Sequence, residues 1–182
     1  MFVFWKNENG IWKGRKYKMT TDPSTSALFQ MKNQKGVAIL PTGQYIDTWK
    51  VRPHGISQYI ALGQQRKLCV YRDYNRDAFL NFDINSKDCS RIFGINIHRA
   101  KYGDADDGQG NTKVIGAYSE GCQVFQNYYC FQEFMNMAYR QKDLYGNNFT
   151  YTLFDFSLKR KFQIKRTIYT VMMGVGLYLL IP

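Results

Sequence analysis

The apolar residues of this chain come in short runs, and that limits what it can build. Val37-Ala38-Ile39-Leu40, Tyr59-Ile60-Ala61-Leu62, Leu68-Cys69-Val70-Tyr71 and Phe93-Gly94-Ile95-Asn96-Ile97-His98 are set off by turn-forming Gly, Pro, Asn and Asp. Runs this short, punctuated this way, read as strands joined by turns. An aromatic content of 16%, with 14 Tyr and 13 Phe, favours the same β-rich packing. One segment has another period: Phe131, Phe134, Met135, Ala138 and Tyr139 recur at helical spacing and predict an amphipathic helix on the sheet. Phe149-Thr150-Tyr151-Thr152-Leu153-Phe154 returns to strand-forming residues. The expectation is one β-rich α+β domain over residues 1–154, since 182 residues support one core.

Residues 155–182 read as a tail. A basic cluster, Lys159, Arg160, Lys161, Lys165 and Arg166, precedes a stretch from Ile168 to Ile181 that is apolar apart from Thr170 and two glycines. A full span needs about 17 to 25 apolar residues. The segment is short for a span and reads as a membrane anchor with its basic end facing anionic head groups, the alternatives being a buried terminal helix or a docking peptide. The opening Met1-Phe2-Val3-Phe4-Trp5 is too short for a secretory signal and runs straight into Asn7, Glu8 and Asn9, so no signal peptide is expected.

The formal charge of +11, from 25 Lys+Arg against 14 Asp+Glu, suits a polyanionic partner. No zinc-finger spacing or RNA-recognition signature accompanies it, so nucleic acid is not the expected one. Cys69, Cys89, Cys122 and Cys130 contain no C-x-x-C pair, which argues against structural zinc and leaves disulfide pairing open. Arg72-Asp73-Tyr74-Asn75-Arg76-Asp77 imitates the start of a calcium loop, but Ala78 and Ile84 stand where Gly and an acidic residue are needed. An Asx-type turn is the expectation there, and neither metal nor organic cofactor is expected at all. Tyr102 to Thr112, with Gly103, Gly108, Gly110, Asp104, Asp106 and Asp107, reads either as a lid or as a plain surface loop.

The chemistry-bearing pair is Cys122, in Ser119-Glu120-Gly121-Cys122, and His98, which ends an apolar strand. A thiol becomes a nucleophile at neutral pH when an imidazole takes its proton. Gly121 lets the backbone approach closely, and N–H groups around Gly121 and Cys122 are natural oxyanion donors. Ser119 would orient the turn or the imidazole. His54, in a turn, is a candidate cleft residue, and Tyr45 and Trp49 are candidate apolar walls for a glycan or peptide stem.

This pattern, a strand-borne His followed by a Gly-rich excursion and Ser-x-Gly-Cys, resembles the L,D-transpeptidase family of peptidoglycan-modifying enzymes. It is similar above all to uncharacterised phage and Bacteroidetes members, through Thr20-Thr21-Asp22-Pro23, Gly43-Gln44-Tyr45, Arg72-Asp73-x-Asn75-x-Asp77, Gly94-Ile95-Asn96-Ile97-His98-Arg99, Ser119-x-Gly121-Cys122-Gln123-Val124-Phe125 and Phe149-Thr150-Tyr151-Thr152-Leu153. The resemblance spans about residues 15 to 154. The family's His before Gly-Cys is Glu120 here, and its Arg two places after Cys is Val124. The resemblance implies an L,D-transpeptidase-like fold with Cys122 as nucleophile and His98 as base. Ser119 and Gly121 would then shape the turn, with Arg99 and Gln123 at the substrate. It further implies peptidoglycan stem-peptide processing through a thioester, by hydrolysis or transpeptidation, at the cell wall in a virion or membrane-associated setting. The rival expectation is a non-catalytic virion or membrane-associated protein that keeps the enzyme fold.

Overall fold

Trp49 shows how the core is assembled. It is fully buried, its Nε1 donates to the Ile95 carbonyl at 2.6 Å, and its ring meets Tyr45 and Tyr151 edge-on at 6.0 and 5.7 Å. Three widely separated parts of the chain are thereby fixed around one indole. The computed structural model describes residues 1–29 and 36–155; the expected tail lies outside these residues, apart from Asp155.

The described chain runs β1 (Phe2–Lys6), β2 (Trp12–Lys16), β3 (Met19–Thr20), α1 (Thr25–Phe29), β4 (Val37–Ile39), β5 (Gly43–His54), β6 (Tyr59–Gln64), β7 (Val70–Asp73), β8 (Lys87–Asp88), β9 (Ile97–Arg99), β10 (Gln123–Phe125), α2 (Tyr128–Tyr145) and β11 (Phe149–Leu153). It is a mixed α+β, strand-rich domain with one main helix. The principal sheet has the order β11-β5-β6-β9-β10-β3; β4-β7-β8 form a second sheet and β1-β2 a hairpin. All named pairings are antiparallel except β9 with β10, where Gln123 lies opposite Ile97 and Val124 opposite His98.

The six-stranded sheet curls. Tyr151 on the edge strand β11 donates to the Gln123 side chain of β10 at 3.2 Å, although β5, β6 and β9 separate the two strands in sheet order. Inside the curl, Val51, Leu62, Ile97 and Phe125 are buried with Trp49. Helix α2 closes the opening with Phe131, Phe134, Met135 and Ala138, the predicted stripe, while Tyr139 remains exposed. Each of the larger side chains contributes about 1.5–3 kcal/mol by burial. Asn127 caps the helix by accepting from the Cys130 N–H at 2.9 Å, and Gly146, at φ 94°, ends it.

Cys69 and Cys89 form a disulfide, which the sequence left open. They flank β7 and β8, where Val70 pairs with Asp88, so the covalent bond closes the loop containing residues 74–86 at its neck. Within that loop the expected Asx-type turn is present: Asp77 N–H donates to Asn75 Oδ1 at 3.3 Å and Phe79 N–H to Asp77 Oδ1 at 2.9 Å. A loop of this size, with the cysteines 20 positions apart, makes the bond worth about 3 kcal/mol. Cys69→Ser with Cys89→Ser is therefore expected to lower the unfolding free energy by about that amount. Urea denaturation monitored by tryptophan fluorescence would measure it, and an unchanged midpoint would contradict the role assigned to the bond.

Candidate functional site

Strand alternation sorts the predicted site residues onto two faces. Ile97, Gln123 and Phe125 are buried with Leu62 and Val51, which pair with them across β9, β10, β6 and β5. Their neighbours in sequence must point the other way. That opposite face carries His54 and Tyr59, which are directly paired on β5 and β6, together with Asn96, His98 and Cys122. The register that pairs Leu62 with Ile97 sets Ala61 beside His98. The small Ala61 side chain leaves room for His54 and His98 to stack above it, ring centroids 4.4 Å apart and planes within 25°.

The tautomers follow from the fixed partners. His98 Nδ1 lies 2.7 Å from the Arg99 carbonyl, which can only accept, so Nδ1 carries the proton and Nε2 keeps its lone pair. The Tyr59 hydroxyl stands 3.3 Å from the same Nδ1. Asn96 Oδ1 accepts from the Gln64 N–H at 2.9 Å, which turns its amide nitrogen toward His54 Nδ1 at 3.1 Å. His54 therefore accepts at Nδ1 and carries its own proton on Nε2.

Cys122 enters the face from a tightly fastened turn. Ser119 is fully buried, and its hydroxyl lies 2.9 Å from the Cys122 carbonyl, 3.1 Å from the Asp22 carbonyl and 3.3 Å from the Gly121 N–H. Ser119 therefore orients the turn and not the imidazole. Gly121 has φ +138°, and a Cβ there would fall 2.1 Å from the Ala38 carbonyl oxygen, so only glycine fits. Because its N–H is held by Ser119, Gly121 is not the free oxyanion donor the motif suggests. The Cys122 N–H has no acceptor among the described residues and is the better candidate.

The thiol donates to the Gly94 carbonyl at 3.3 Å and receives the Asn96 N–H at 3.4 Å. No hydrogen bond joins it to His98 among the described residues. From strand spacings, the Cα atoms of Cys122 and His98 are about 8 Å apart. Burial pushes the Cys122 pKa up to about 11, helped by the nearby Glu120 carboxylate. Burial, reinforced by His54, lowers that of His98 to about 4, and burial also lowers that of His54. The resting pair is thus thiol and neutral imidazole, not an ion pair.

Three expectations are corrected. Gln123 is fully buried; its amide donates to the Thr21 carbonyl at 3.0 Å and accepts from Tyr151, so it braces the curl instead of meeting substrate. Tyr45 is half-buried and packs against the core: its hydroxyl donates to the Pro41 carbonyl at 2.6 Å while its ring meets Trp49. His54 is the last residue of β5, not a turn residue, and its stack on His98 makes it part of the candidate site. Arg99 lies at the rim, its guanidinium 4.1 Å from the Tyr59 ring centroid and 5.2 and 5.8 Å from those of Tyr102 and Tyr128. It has no ion-pair partner among the described residues. Of the side chains that hold the two imidazoles, Tyr59 carries no motif, and Asn96 stands inside the Gly94–Arg99 motif with nothing local to mark it as a partner of His54.

The acidic loop between His98 and Cys122 spends its carboxylates on itself and on α2. Asp104 accepts from the Tyr129 hydroxyl, Asp106 pairs with Lys101, and Asp107 holds Asn111. These contacts make it a tied surface loop. No family model, curated protein or solved structure matches the chain.

The neutral thiol predicts slow alkylation. In a Cys130→Ser background, iodoacetamide should modify Cys122 poorly at pH 7, with a rate rising about tenfold per pH unit toward a midpoint near 11. A midpoint near neutrality would mean that a thiolate–imidazolium pair is present at rest.

Proposed function

We propose that this protein processes peptidoglycan stem peptides with Cys122 as nucleophile and His98 as base, in the manner of the L,D-transpeptidase-like enzymes its motifs resemble. The observation that carries the reading is the placement of Cys122 and His98 on one face of the parallel strand pair β9–β10, beside a stacked second histidine. His98 Nε2 is unprotonated and free to accept, which is the state a general base requires.

In the proposed reaction the thiol leaves Gly94 and gives its proton to His98 Nε2 as the sulfur bonds to the carbonyl carbon of a stem-peptide amide. The carbon–nitrogen bond then breaks and the departing amine takes the proton from Nε2, leaving a thioester on Cys122. Water or an acceptor amine attacks the thioester, giving up a proton through Nε2 and returning the thiol. Hydrolysis and transpeptidation differ only in that acceptor. The Cys122 N–H faces the developing oxyanion in this scheme. The Cys69–Cys89 disulfide supports a working place outside a reducing cytoplasm, as cell-wall chemistry from a virion or membrane setting requires. Among the described residues no helix is long and apolar enough to cross a membrane.

A second reading, a wall-binding or virion structural module, is favoured by one observation: the resting thiol is bonded to Gly94 and held protonated. The two separate in one experiment. Purified muropeptides incubated with wild type, Cys122→Ala and His98→Gln, followed by mass spectrometry, should yield cleaved or exchanged stems with wild type and none with Cys122→Ala. His98→Gln should retain about 10⁻² to 10⁻⁴ of the activity. The pH dependence of kcat/KM should show its acid limb near 4, where His98 gains a proton, and stay flat through neutrality. Unchanged stems from a folded protein that still binds sacculi would establish the binding module.

A further inference from the structure

The β1–β2 hairpin turns two different faces to its surroundings. The register, Phe2 opposite Lys16, Phe4 opposite Gly14 and Lys6 opposite Trp12, places Phe2, Phe4, Lys6, Trp12, Gly14 and Lys16 on one side. The other side faces the domain: Val3 packs against the core, and Arg15 pairs with Glu133 of α2 at 3.0 Å. Glu8 in the connecting turn meets Arg140 farther along α2 at 2.7 Å. The hairpin is thus fastened by one face, leaving the aromatic face outward with Phe2 57%, Phe4 68% and Trp12 66% exposed. Three large rings exposed together on one small ribbon go beyond the scattered apolar exposure of ordinary surfaces.

The face is ordered within itself. Phe2 and Phe4 stack with centroids 6.4 Å apart, and the Phe4 ring lies across Gly14, where a Cβ would come within 3.1 Å of it. Lys16 Nζ sits 5.7 Å from the Phe2 ring and Lys6 Nζ 5.2 Å from the Trp12 ring. Neither lysine has a carboxylate partner among the described residues.

We propose that this face docks on an anionic phospholipid surface. Phenyl rings settle at the acyl boundary, an indole at the level of the head groups, and flanking ammonium groups on lipid phosphates. The composition of the face favours lipid over other polyanions. It carries no Asp, Asn, Gln, Ser or Thr to read sugar hydroxyls or base edges. Its lysines also sit over ring faces that a stacking base would need. The site is separate from the Cys122 face and does not rest on the proposed catalysis.

The test uses the full chain throughout, so that residues 156–182 contribute equally to every sample. Sedimentation with vesicles of phosphatidylcholine, alone or mixed with phosphatidylglycerol, should show binding that prefers the anionic mixture. Phe4→Ser with Trp12→Ser should weaken binding to the anionic vesicles about tenfold. Lys6→Gln with Lys16→Gln should remove most of the preference, about fivefold per lysine at low salt. Because these side chains are exposed, the thermal midpoints should match wild type. Brominated lipid should quench tryptophan emission in wild type and much less in Trp12→Phe, which places that ring in the bilayer independently of any other anchor. Vesicle binding unchanged in both double variants, or no Trp12-dependent quenching, would overturn the proposal. So would a loss confined to binding of sacculi or of a DNA oligonucleotide.

Discussion

The contact on which the candidate site depends is the approach of Gly121 to Ala38. The Ala38 carbonyl lies where a Cβ on residue 121 would have to be, and the Ala38 N–H donates to the Glu120 carbonyl at 3.0 Å. Ala38 belongs to β4 of the three-stranded sheet, so this contact ties the Cys122 turn of one sheet to the strand of another. Ser24 N–H, donating to the Ser119 carbonyl at 3.0 Å, adds the segment before α1. Any larger residue at 121 must separate these partners, and the Cys122 backbone would move with them.

The parallel pairing of β9 with β10, the one such pairing among the described residues, does the rest. Antiparallel neighbours can be joined by a tight turn, whereas parallel ones need a long crossover. The crossover between β9 and β10 is the loop containing the acidic segment and the Ser119 turn. Parallel pairing brings the approach to β10 alongside the approach to β9, so that Cys122 lies near Gly94 and Asn96 and not at the far end of the strand. The same long connection explains why the acidic loop is so heavily cross-linked: apart from one short 3-10 turn at Gly116–Tyr118 the crossover has few repeating backbone bonds, and it satisfies its donors with Asp and Asn side chains.

Much of this was legible in local sequence. The helix stripe gave the buried face of α2 because its period is independent of partners, and the Ser119–Cys122 stretch reads locally as the tight turn that its own hydrogen bonds make it. What failed was inference from adjacency. Gln123 follows Cys122 in sequence, yet period-two alternation sends it to the opposite face, and that face is the core. Tyr45 was read by type, and nothing local says that its hydroxyl ends on the Pro41 carbonyl. His54 lies 44 positions before His98, and their stacking depends on the register of three strands and on a small residue at 61; no pattern along the chain encodes such a relation. The Cys69–Cys89 bond was undecidable for the same reason, since the β7–β8 pairing that brings the cysteines together is itself long-range.

The electrostatics of the site follow from its packing. Two stacked imidazoles cannot both be charged at low cost, and burial penalises the first charge as well, so both remain neutral near pH 7. The same burial penalises a thiolate, and the Glu120 carboxylate adds to that penalty where a positive group would relieve it. Arg99 does not relieve it either, because its guanidinium rests on three tyrosine rings at the rim. On the proposed reading, then, the proton must move as the sulfur attacks, because a pre-formed ion pair is too costly here. The thiol must also exchange the Gly94 carbonyl for His98 Nε2 in the same event. A substrate backbone that competes for Gly94 or Asn96 would drive that exchange, and the parallel strand pair presents both groups beside the thiol.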